Sequence, residues 1–266
     1  MNAGKKNVLG ILIDAVDYGG AMEQIIEAAH ARRAMCVAAL AVHGVMTGVL
    51  DPVHKYRLNH FGLLVPDGQP VRWAVNLLYK TELPDRVYGP NLTLGLCERA
   101  AAEGLSLYFY GSTEEILCAL KANLVRRFPR IRLAGLEPSR FRRISQQEKR
   151  EIVERIRASG ANIVFSGLGC PRQEVWAYEF HQELSVPVIA VGAAFPFLAE
   201  KVPQAPCWMQ DRGLEWLFRF YTEPARLWGR YVLLNPAYLA LLALQALGLR
   251  QFTTSGIAPV ADICFG

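Results

Sequence analysis

The chain has 266 residues, of which 52% are hydrophobic and 20% charged, with a formal net charge of +5 and a mean hydropathy of +0.15. This composition excludes a disordered polypeptide and suits one large α/β domain, or one domain with an appendage. No Lys/Arg-rich run with interleaved aromatic residues is present, so the sequence does not predict a nucleic-acid-binding protein.

The N-terminus and the cysteines predict a protein of the reducing cytoplasm. The six cysteines are scattered without any C-x-x-C spacing, which matches neither a metal-ligand pattern nor a disulfide framework. The segment MNAGKKNVLGILIDAV has a short apolar patch soon followed by Asp14 and Asp17, unlike a signal peptide. We predict that this segment forms the first strand, and that the protein uses no metal or cofactor.

The middle of the chain predicts alternating strands and helices. Apolar, β-branched runs end at a glycine and lead into a helical pattern, and a separate helix carries the capping box Ser145–Glu148. This alternation predicts a Rossmann-like α/β fold, with a largely parallel sheet and helices on both faces. Ligands of such sheets bind beyond the carboxyl ends of the strands. The strand–turn–helix units are residues 105–116, 161–180 and 186–198, and the separate helix is residues 145–160.

The glycine turns of these units are candidate phosphate sites. A helix N-terminus offers free N–H groups and a positive dipole to an anion. Residues 111–112 (Gly111, Ser112) and 167–169 (Gly167, Gly169) precede such helices, whereas the G-x-G-x-x-G fingerprint and the P-loop are absent from the sequence. An ordinary βα connection is the alternative. Gln173, which follows the second turn, can donate and accept hydrogen bonds and suits a sugar or a uracil.

Two charged residues earlier in the chain are candidates for chemistry. Asp67 lies in a P-D-G stretch, where a turn is the usual role of an aspartate. Arg86 precedes Gly89 and suits bidentate binding of a diphosphate, with an ion pair to Asp85 as the alternative. Upstream, His43 is a further polar candidate, although a lone histidine is most often an ordinary surface or core residue.

The composition changes after residue 205, and we predict a catalytic domain over 1–205 and a C-terminal appendage over 206–266. Residues 201–250 hold six Lys/Arg and three Asp/Glu, a basic excess of three that favours an anionic membrane surface. The appendage arginines are spaced 7, 7 and 4 residues apart, near one face of a continuous helix, although Pro224 argues against continuity. With neighbouring aromatic residues they are typical of an interfacial belt, or of an amphipathic helix docked on the core. These arginines are Arg212, Arg219, Arg226 and Arg230.

The eighteen residues 232–249 carry no charge. A bilayer-spanning helix needs about 20 residues, and Asn235 and Pro236 interrupt the start of this stretch. The pattern therefore favours a segment that lies in the membrane interface or inserts shallowly, with a buried core helix as the alternative.

Taken together, six segments of the sequence resemble the WecG/TagA/CpsF family of bacterial glycosyltransferases. They follow one another in order over most of the chain. The segments are VPDGQPVRW (65–73), DRVYGPNL (85–92), LYFYGS (107–112), GLGCPRQE (167–174), VGAAFPF (191–197) and APCWMQDRGLEWLFRFYTEPARLWGRY (205–231).

The resemblance implies an inverting, metal-independent glycosyltransferase that associates with the membrane through its C-terminal appendage. Such enzymes transfer a sugar from a UDP-sugar to a polyprenyl-diphosphate-linked saccharide at the cytoplasmic face of the membrane. Their products enter teichoic-acid linkage units, enterobacterial common antigen or exopolysaccharides. The sequence leaves the donor sugar, the acceptor glycan and the oligomeric state open, and a homo-oligomer is compatible with it.

The resemblance also implies roles for individual residues. Asp67 matches the general base of the D-G-x-P motif, with Gly68 beside it, and Arg86 matches the arginine that precedes V-x-G. Gln173 matches the glutamine of G-L-G-x-P-[KR]-Q-E. The implied diphosphate-binding arginines of the appendage are Arg219 and Arg226, with Arg230 nearby.

The sequence departs from the family pattern at the end of the second predicted strand. Where family members usually carry T-x-N, Ala39 and Ala41 stand in AALAVHG, with His43 close by. Because those positions line the active-site pocket in the family, donor recognition is expected to differ here. The family's R-A-P before the tryptophan reads Gln204-Ala205-Pro206. A noncatalytic membrane-tethered sugar-nucleotide binder and a nucleotide-dependent oxidoreductase remain alternative functions.

Overall fold

The computed structural model describes residues 1–222 and 228–266, without the side chains of Cys207, Asp211, Arg219, Arg230 and Tyr231. Its strands are β1 (Asn2–Val8), β2 (Ile11–Val16), β3 (Met35–Leu40), β4 (Leu63–Pro66), β5 (Ser106–Gly111), β6 (Arg132–Glu137), β7 (Ile163–Gly167) and β8 (Pro187–Ala190). Its helices are α1 (Tyr18–His30), α2 (Val42–Leu50), α3 (Pro52–Asn59), α4 (Gln69–Tyr79), α5 (Gly89–Glu103), α6 (Glu114–Arg127), α7 (Gln146–Ala158), α8 (Arg172–Leu184), α9 (Ala194–Leu198), α10 (Cys207–Asp211), α11 (Glu215–Thr222) and α12 (Asn235–Ala246).

Six strands form a parallel sheet in the order β4-β3-β8-β7-β5-β6. Alternate strand residues point to opposite faces, and each face is covered by helices. One apolar layer includes Ala38 and Leu40 with residues of α2, α4, α7, α8 and α12, and the other includes Val37 with residues of α1, α5, α6 and α9. The predicted parallel α/β sheet with helices on both faces is confirmed.

The predicted turn chemistry is also found at its expected places. Thr113 is the N-cap of α6, since its hydroxyl accepts a hydrogen bond from the Ile116 N–H. The capping box of Ser145 and Glu148 starts α7. Both caps satisfy N–H groups that the first turn of a helix leaves without a partner.

The N-terminal segment differs from its prediction. Instead of a single strand, it forms the antiparallel hairpin of β1 and β2, which turns at Leu9 and Gly10 and makes its own two-stranded sheet. Both turn residues have positive φ, which suits the tight reversal. The single-strand prediction was wrong because the apolar run NVLGILIDAV contains this turn within it.

The C-terminal part returns to the core. In α12, Tyr238 and Leu242 are buried, and the Tyr238 hydroxyl donates to the Pro70 carbonyl at 3.2 Å. Residues 250–266 then cross α3 and reach α7 and α8, where the Glu179 carboxylate accepts the backbone N–H groups of Ile263 and Cys264. The end of the chain is thereby fastened to the main domain.

Candidate functional site

The topology opens a crevice at the carboxyl ends of the central strands. The chain leaves β3 into α2 on one face of the sheet and leaves β8 into α9 on the other. Because β3 and β8 are neighbours, their connections diverge, and such a switch point is where α/β sheets bind ligands. The connection that follows β4 lies beside it and carries Asp67.

Asp67 joins the end of β4 to the start of α5. Its backbone N–H donates to the Leu40 carbonyl at 3.1 Å, and its Oδ1 accepts a hydrogen bond from the Gly89 N–H at 2.7 Å. Gly89 is the first residue of α5, so the carboxylate faces the positive end of that helix. Asp67 therefore shapes the local backbone and also presents an oriented carboxylate at the edge of the crevice.

The residues next to this carboxylate are small. A Cβ atom on Gly89 would lie 3.4 Å from the Ala39 Cβ and 3.8 Å from Asp67 Oδ1. A Cβ atom on Gly68 would lie 3.5 Å from the Cα and Cβ atoms of Ala41. The two alanines that depart from the family pattern thus lie beside Asp67, and they present methyl groups there.

Arg86 is buried near Asp67 and forms an ion pair with a residue of the C-terminal region. Its Nη2 lies 2.6 Å from the Glu215 Oε2, and its Cζ lies 4.4 Å from the centre of the Tyr88 ring. Burial opposes the charged guanidinium, but the charges of Glu215 and Asp67 prevail and raise the pKa of Arg86. The side-chain pair with Asp85 considered from the sequence does not form, since Asp85 accepts the Arg86 backbone N–H instead.

Gln173 is buried and links two strand ends. Its Oε1 accepts a hydrogen bond from the Gly192 N–H at 2.7 Å, and its Nε2 donates to Glu174 Oε1 at 2.8 Å. Val191, which precedes Gly192, would be 3.6 Å from a Cβ on Gly89. Gln173 therefore stands at the crevice, with its amide holding the connection after β8 against the first turn of α8.

The other glycine turn lies farther along the sheet. Gly111 is the last residue of β5 and Ser112 follows it. β5 is four strands from β4, or about 19 Å at the usual spacing of about 4.8 Å. A Cβ atom on Gly111 would be 2.8 Å from the Gly167 backbone, and one on Gly167 would be 2.6 Å from the Phe195 ring. These glycines permit close backbone packing, and phosphate binding by them or by Gly169 stays a prediction.

The remaining candidates are His43 and the arginines of the C-terminal region. His43 lies in the first turn of α2, and its neighbour His54 has a pKa lowered to about 4, mainly by burial, with contributions from Arg57 and His43. Arg226 and the side chains of Arg219 and Arg230 lie outside the described residues, so their predicted diphosphate contacts stay predictions.

Three residues that the sequence did not single out, Glu215, Gln210 and Tyr18, contact Arg86 or its neighbour Tyr88. Glu215 and Gln210 contact the Arg86 guanidinium, and the Tyr18 hydroxyl accepts the Tyr88 N–H at 2.9 Å. Glu215 belongs to the E-W-x-x-R segment, but no sequence signal paired it with an arginine 129 positions earlier.

Within the described residues, one side-chain set has the proximity of metal ligands, namely Glu179, Asp262 and Cys264. The Glu179 oxygens already accept two backbone N–H groups, and Asp262 Oδ2 lies 2.8 Å from the Lys149 ammonium. The set therefore serves to fasten the C-terminal segment, and it lies among α7, α8 and the chain end, away from Asp67.

The C-terminal region exposes many apolar side chains. Over 1–222 and 228–266, no helix is both long enough and apolar enough to cross a membrane. α12 has 12 residues, and its outer face is exposed whereas Tyr238 and Leu242 are buried. The exposed apolar residues of the region include Trp208, Trp216, Leu217, Tyr221, Trp228, Leu233 and Leu239.

Comparison with known proteins shows the family to which the chain belongs. The model of the "Glycosyl transferase WecG/TagA/CpsF family" matches residues 6–252. The chain is 28% identical over 190 residues, 71% of each chain, to a Bacillus spizizenii protein named N-acetylglucosaminyldiphosphoundecaprenol N-acetyl-beta-D-mannosaminyltransferase. The family match spans Asp67, Arg86 and Gln173, together with α10 and α11. The chain is therefore a glycosyltransferase that belongs to the WecG/TagA/CpsF family.

Proposed function

We propose that this enzyme transfers an N-acetylhexosaminyl group from a UDP-sugar to a saccharide on a polyprenyl diphosphate, with inversion at the anomeric carbon. The name of the Bacillus relative describes an N-acetylmannosaminyl transfer to an N-acetylglucosaminyl-diphosphoundecaprenol. Membership of a glycosyltransferase family also favours group transfer over the oxidoreductase alternative. We place the reaction at the cytoplasmic face of the membrane, in cell-surface or exopolysaccharide synthesis.

The observation that carries the proposal is the oriented carboxylate of Asp67 beside the buried guanidinium of Arg86. In the proposed step, the Asp67 carboxylate accepts the proton of an acceptor hydroxyl. The hydroxyl oxygen forms a bond to the anomeric carbon from the face opposite the nucleotide. The bond from that carbon to the diphosphate oxygen breaks, and its electron pair leaves with UDP.

The departing diphosphate gains negative charge that the protein must stabilise. Arg86 is charged and forms an ion pair with Glu215, and the N-terminus of α5 adds a positive dipole next to Asp67. Arg219, Arg226 and Arg230 are proposed to add charge from the C-terminal region. Ala39 and Ala41 would give the donor pocket an apolar wall, so donor preference is proposed to differ from that of relatives with T-x-N.

The proposed base is tested with Asp67→Asn in a transfer assay that uses a UDP-sugar panel and short polyprenyl-diphosphate acceptors. We expect turnover to fall by about 10²- to 10⁴-fold, the usual contribution of a positioned general base. UDP affinity, measured by calorimetry, should stay within about twofold. Asp51→Asn, which neutralises the exposed N-cap carboxylate of α3 and leaves an amide oxygen that still caps the helix, is the matched control.

Wild-type turnover in Asp67→Asn would remove this residue as the base. A protein that binds UDP and transfers no sugar from any donor would instead favour the noncatalytic sugar-nucleotide binder, which the methyl-lined pocket of Ala39 and Ala41 keeps as a second candidate.

A further inference from the structure

A buried ion pair connects the C-terminal region to the proposed site. The Arg86 and Glu215 side chains retain only 8% and 10% of their exposure, and Nη2 and Oε2 are 2.6 Å apart. A charge buried to this degree is tolerated when it is paired and hydrogen-bonded. Glu215 begins α11, so the counter-charge of a residue beside Asp67 comes from beyond the predicted domain boundary near 205.

Further contacts define the orientation of the guanidinium. Gln210 Oε1 lies 3.3 Å from the same Nη2, and the Tyr88 ring lies under Cζ at 4.4 Å. The Gln210 amide is itself fixed, since its Nε2 donates to the Ala205 carbonyl at 2.7 Å. Among the described residues, Glu215 and Gln210 of the C-terminal region thus contact one guanidinium nitrogen, and Tyr88 packs against one face of the group.

The turn between α10 and α11 closely approaches the start of α4. Gly213 has a φ of +70°, and a Cβ atom there would lie 2.7 Å from the Trp73 ring and 3.4 Å from the Gln69 Cβ. Gln69 in turn donates to Asp85, which accepts the backbone N–H of Arg86. The docked turn and the segment that carries Arg86 are therefore parts of one contact network.

We infer that Glu215 is a positioning residue that acts through Arg86. By accepting a hydrogen bond from Nη2, the Glu215 carboxylate fixes the plane of the Arg86 guanidinium. Arg86 then contacts the diphosphate in one geometry and does not rotate toward the Asp67 carboxylate. The inference rests on the proposed function for the identity of that diphosphate. It assigns to the C-terminal region a role in ordering the site, separate from that of its arginines.

A double-mutant cycle with Arg86→Gln and Glu215→Gln tests this role, because each change removes one charge of the pair and leaves a polar amide in its place. In the wild-type background, Glu215→Gln should lower kcat/KM by about 10- to 100-fold, as expected of a misplaced catalytic group. In the Arg86→Gln background it should lower kcat/KM no further, because a residue that acts through another is non-additive with it. Glu215→Asp should recover part of the loss. Glu200→Gln, which breaks the exposed pair with Arg126, should have no effect.

The four proteins of the cycle are the wild type, the two single variants and the double variant. Each is titrated with UDP by calorimetry, a measurement that needs no turnover. We expect Glu215→Gln to weaken UDP binding by about tenfold when Arg86 is present and not when it is replaced. Equal losses in both backgrounds would overturn the inference and leave the proposed function intact. If the wild-type protein binds UDP but transfers no sugar, the proposed function fails, and the UDP cycle decides the role of Glu215. A wild-type protein that does not bind UDP overturns the inference as well.

Discussion

Glu174 shows how one residue at the site edge couples to pH. It is 1% exposed, and burial raises its pKa to about 7, against the opposing effect of its hydrogen bond from Gln173. Below this pH the buried Glu174 carboxyl is protonated and therefore neutral. No negative charge then lies beside Gln173, whose amide accepts the Gly192 N–H. A hydrogen bond from the Gln173 amide fastens the Glu174 carboxyl to the first turn of α8.

We expect Glu174 to make the protein less stable as the pH rises. Between pH 4.5 and 7 the folded state keeps a proton that the unfolded state has lost, so the free energy of unfolding falls through this window. The shift corresponds to about 3 kcal/mol. Glu174→Gln should therefore gain stability relative to the wild type between pH 5 and pH 8 in urea denaturation. Comparing the two proteins at each pH cancels other titrating groups such as His54. A difference independent of pH would contradict a buried, protonated Glu174.

α12 is an apolar helix with one buried face and one exposed face. Its sequence is nearly all apolar, and the chain pattern left interfacial insertion and core burial open. The structure buries one face of the helix and exposes the other, with Tyr238 buried and Leu239 60% exposed. Gln245 adds a polar anchor, since its amide exchanges hydrogen bonds with the Leu9 N–H and the Asn7 carbonyl at 2.9 Å each. The helix therefore packs on the core and leaves an apolar outer face.

Two neighbouring substitutions separate these faces. Tyr238→Ala should lower the free energy of unfolding by about 3–5 kcal/mol, because it leaves a cavity where a large buried ring packs. Leu239→Ala, the matched control one residue later, should cost less than about 1 kcal/mol. Guanidinium denaturation measures both. Equal values would mean that α12 does not pack on the core through Tyr238.

At the scale of the whole molecule, exposed aromatic and leucine side chains gather in the C-terminal region with arginines. Arg212 lies over the Trp208 ring at 6.0 Å, and Trp208, Trp228 and Leu233 are each more than half exposed. Apolar groups mixed with cations are typical of surfaces that bind anionic lipid headgroups. We propose that this surface holds the enzyme on the membrane that contains its lipid-linked acceptor.

Vesicle co-sedimentation tests this surface. The wild type should bind vesicles with anionic lipid and release at high salt, since screening weakens the arginine contribution. Trp208→Ser combined with Leu233→Ser should lower the bound fraction several-fold, because each exposed apolar group contributes roughly 1.5–3 kcal/mol when buried. Phe141→Ser, which removes an exposed aromatic residue outside the C-terminal region, is the control. Binding that the double variant retains in full would locate the membrane contact elsewhere.

The sequence by itself determined the local features of the fold and the family. Glycine-ended strands, the capping box at Ser145 and the ordered motifs predicted the parallel sheet and the glycosyltransferase family, since these signals lie within short segments. The N-terminal hairpin was missed because its turn lies inside one apolar run.

Only the tertiary structure decided which residues meet. It placed Glu215 on Arg86, turned the Gln173 amide to Gly192, and separated Gly111 from Asp67 by the width of four strands. The physical reason is that strand order and the path of the chain after residue 205 are set by packing between distant segments, and no local pattern encodes those distances. The Asp67 carboxylate shows both levels: the P-D-G turn is readable from three residues, whereas its contact with the N-terminus of α5 depends on the whole sheet.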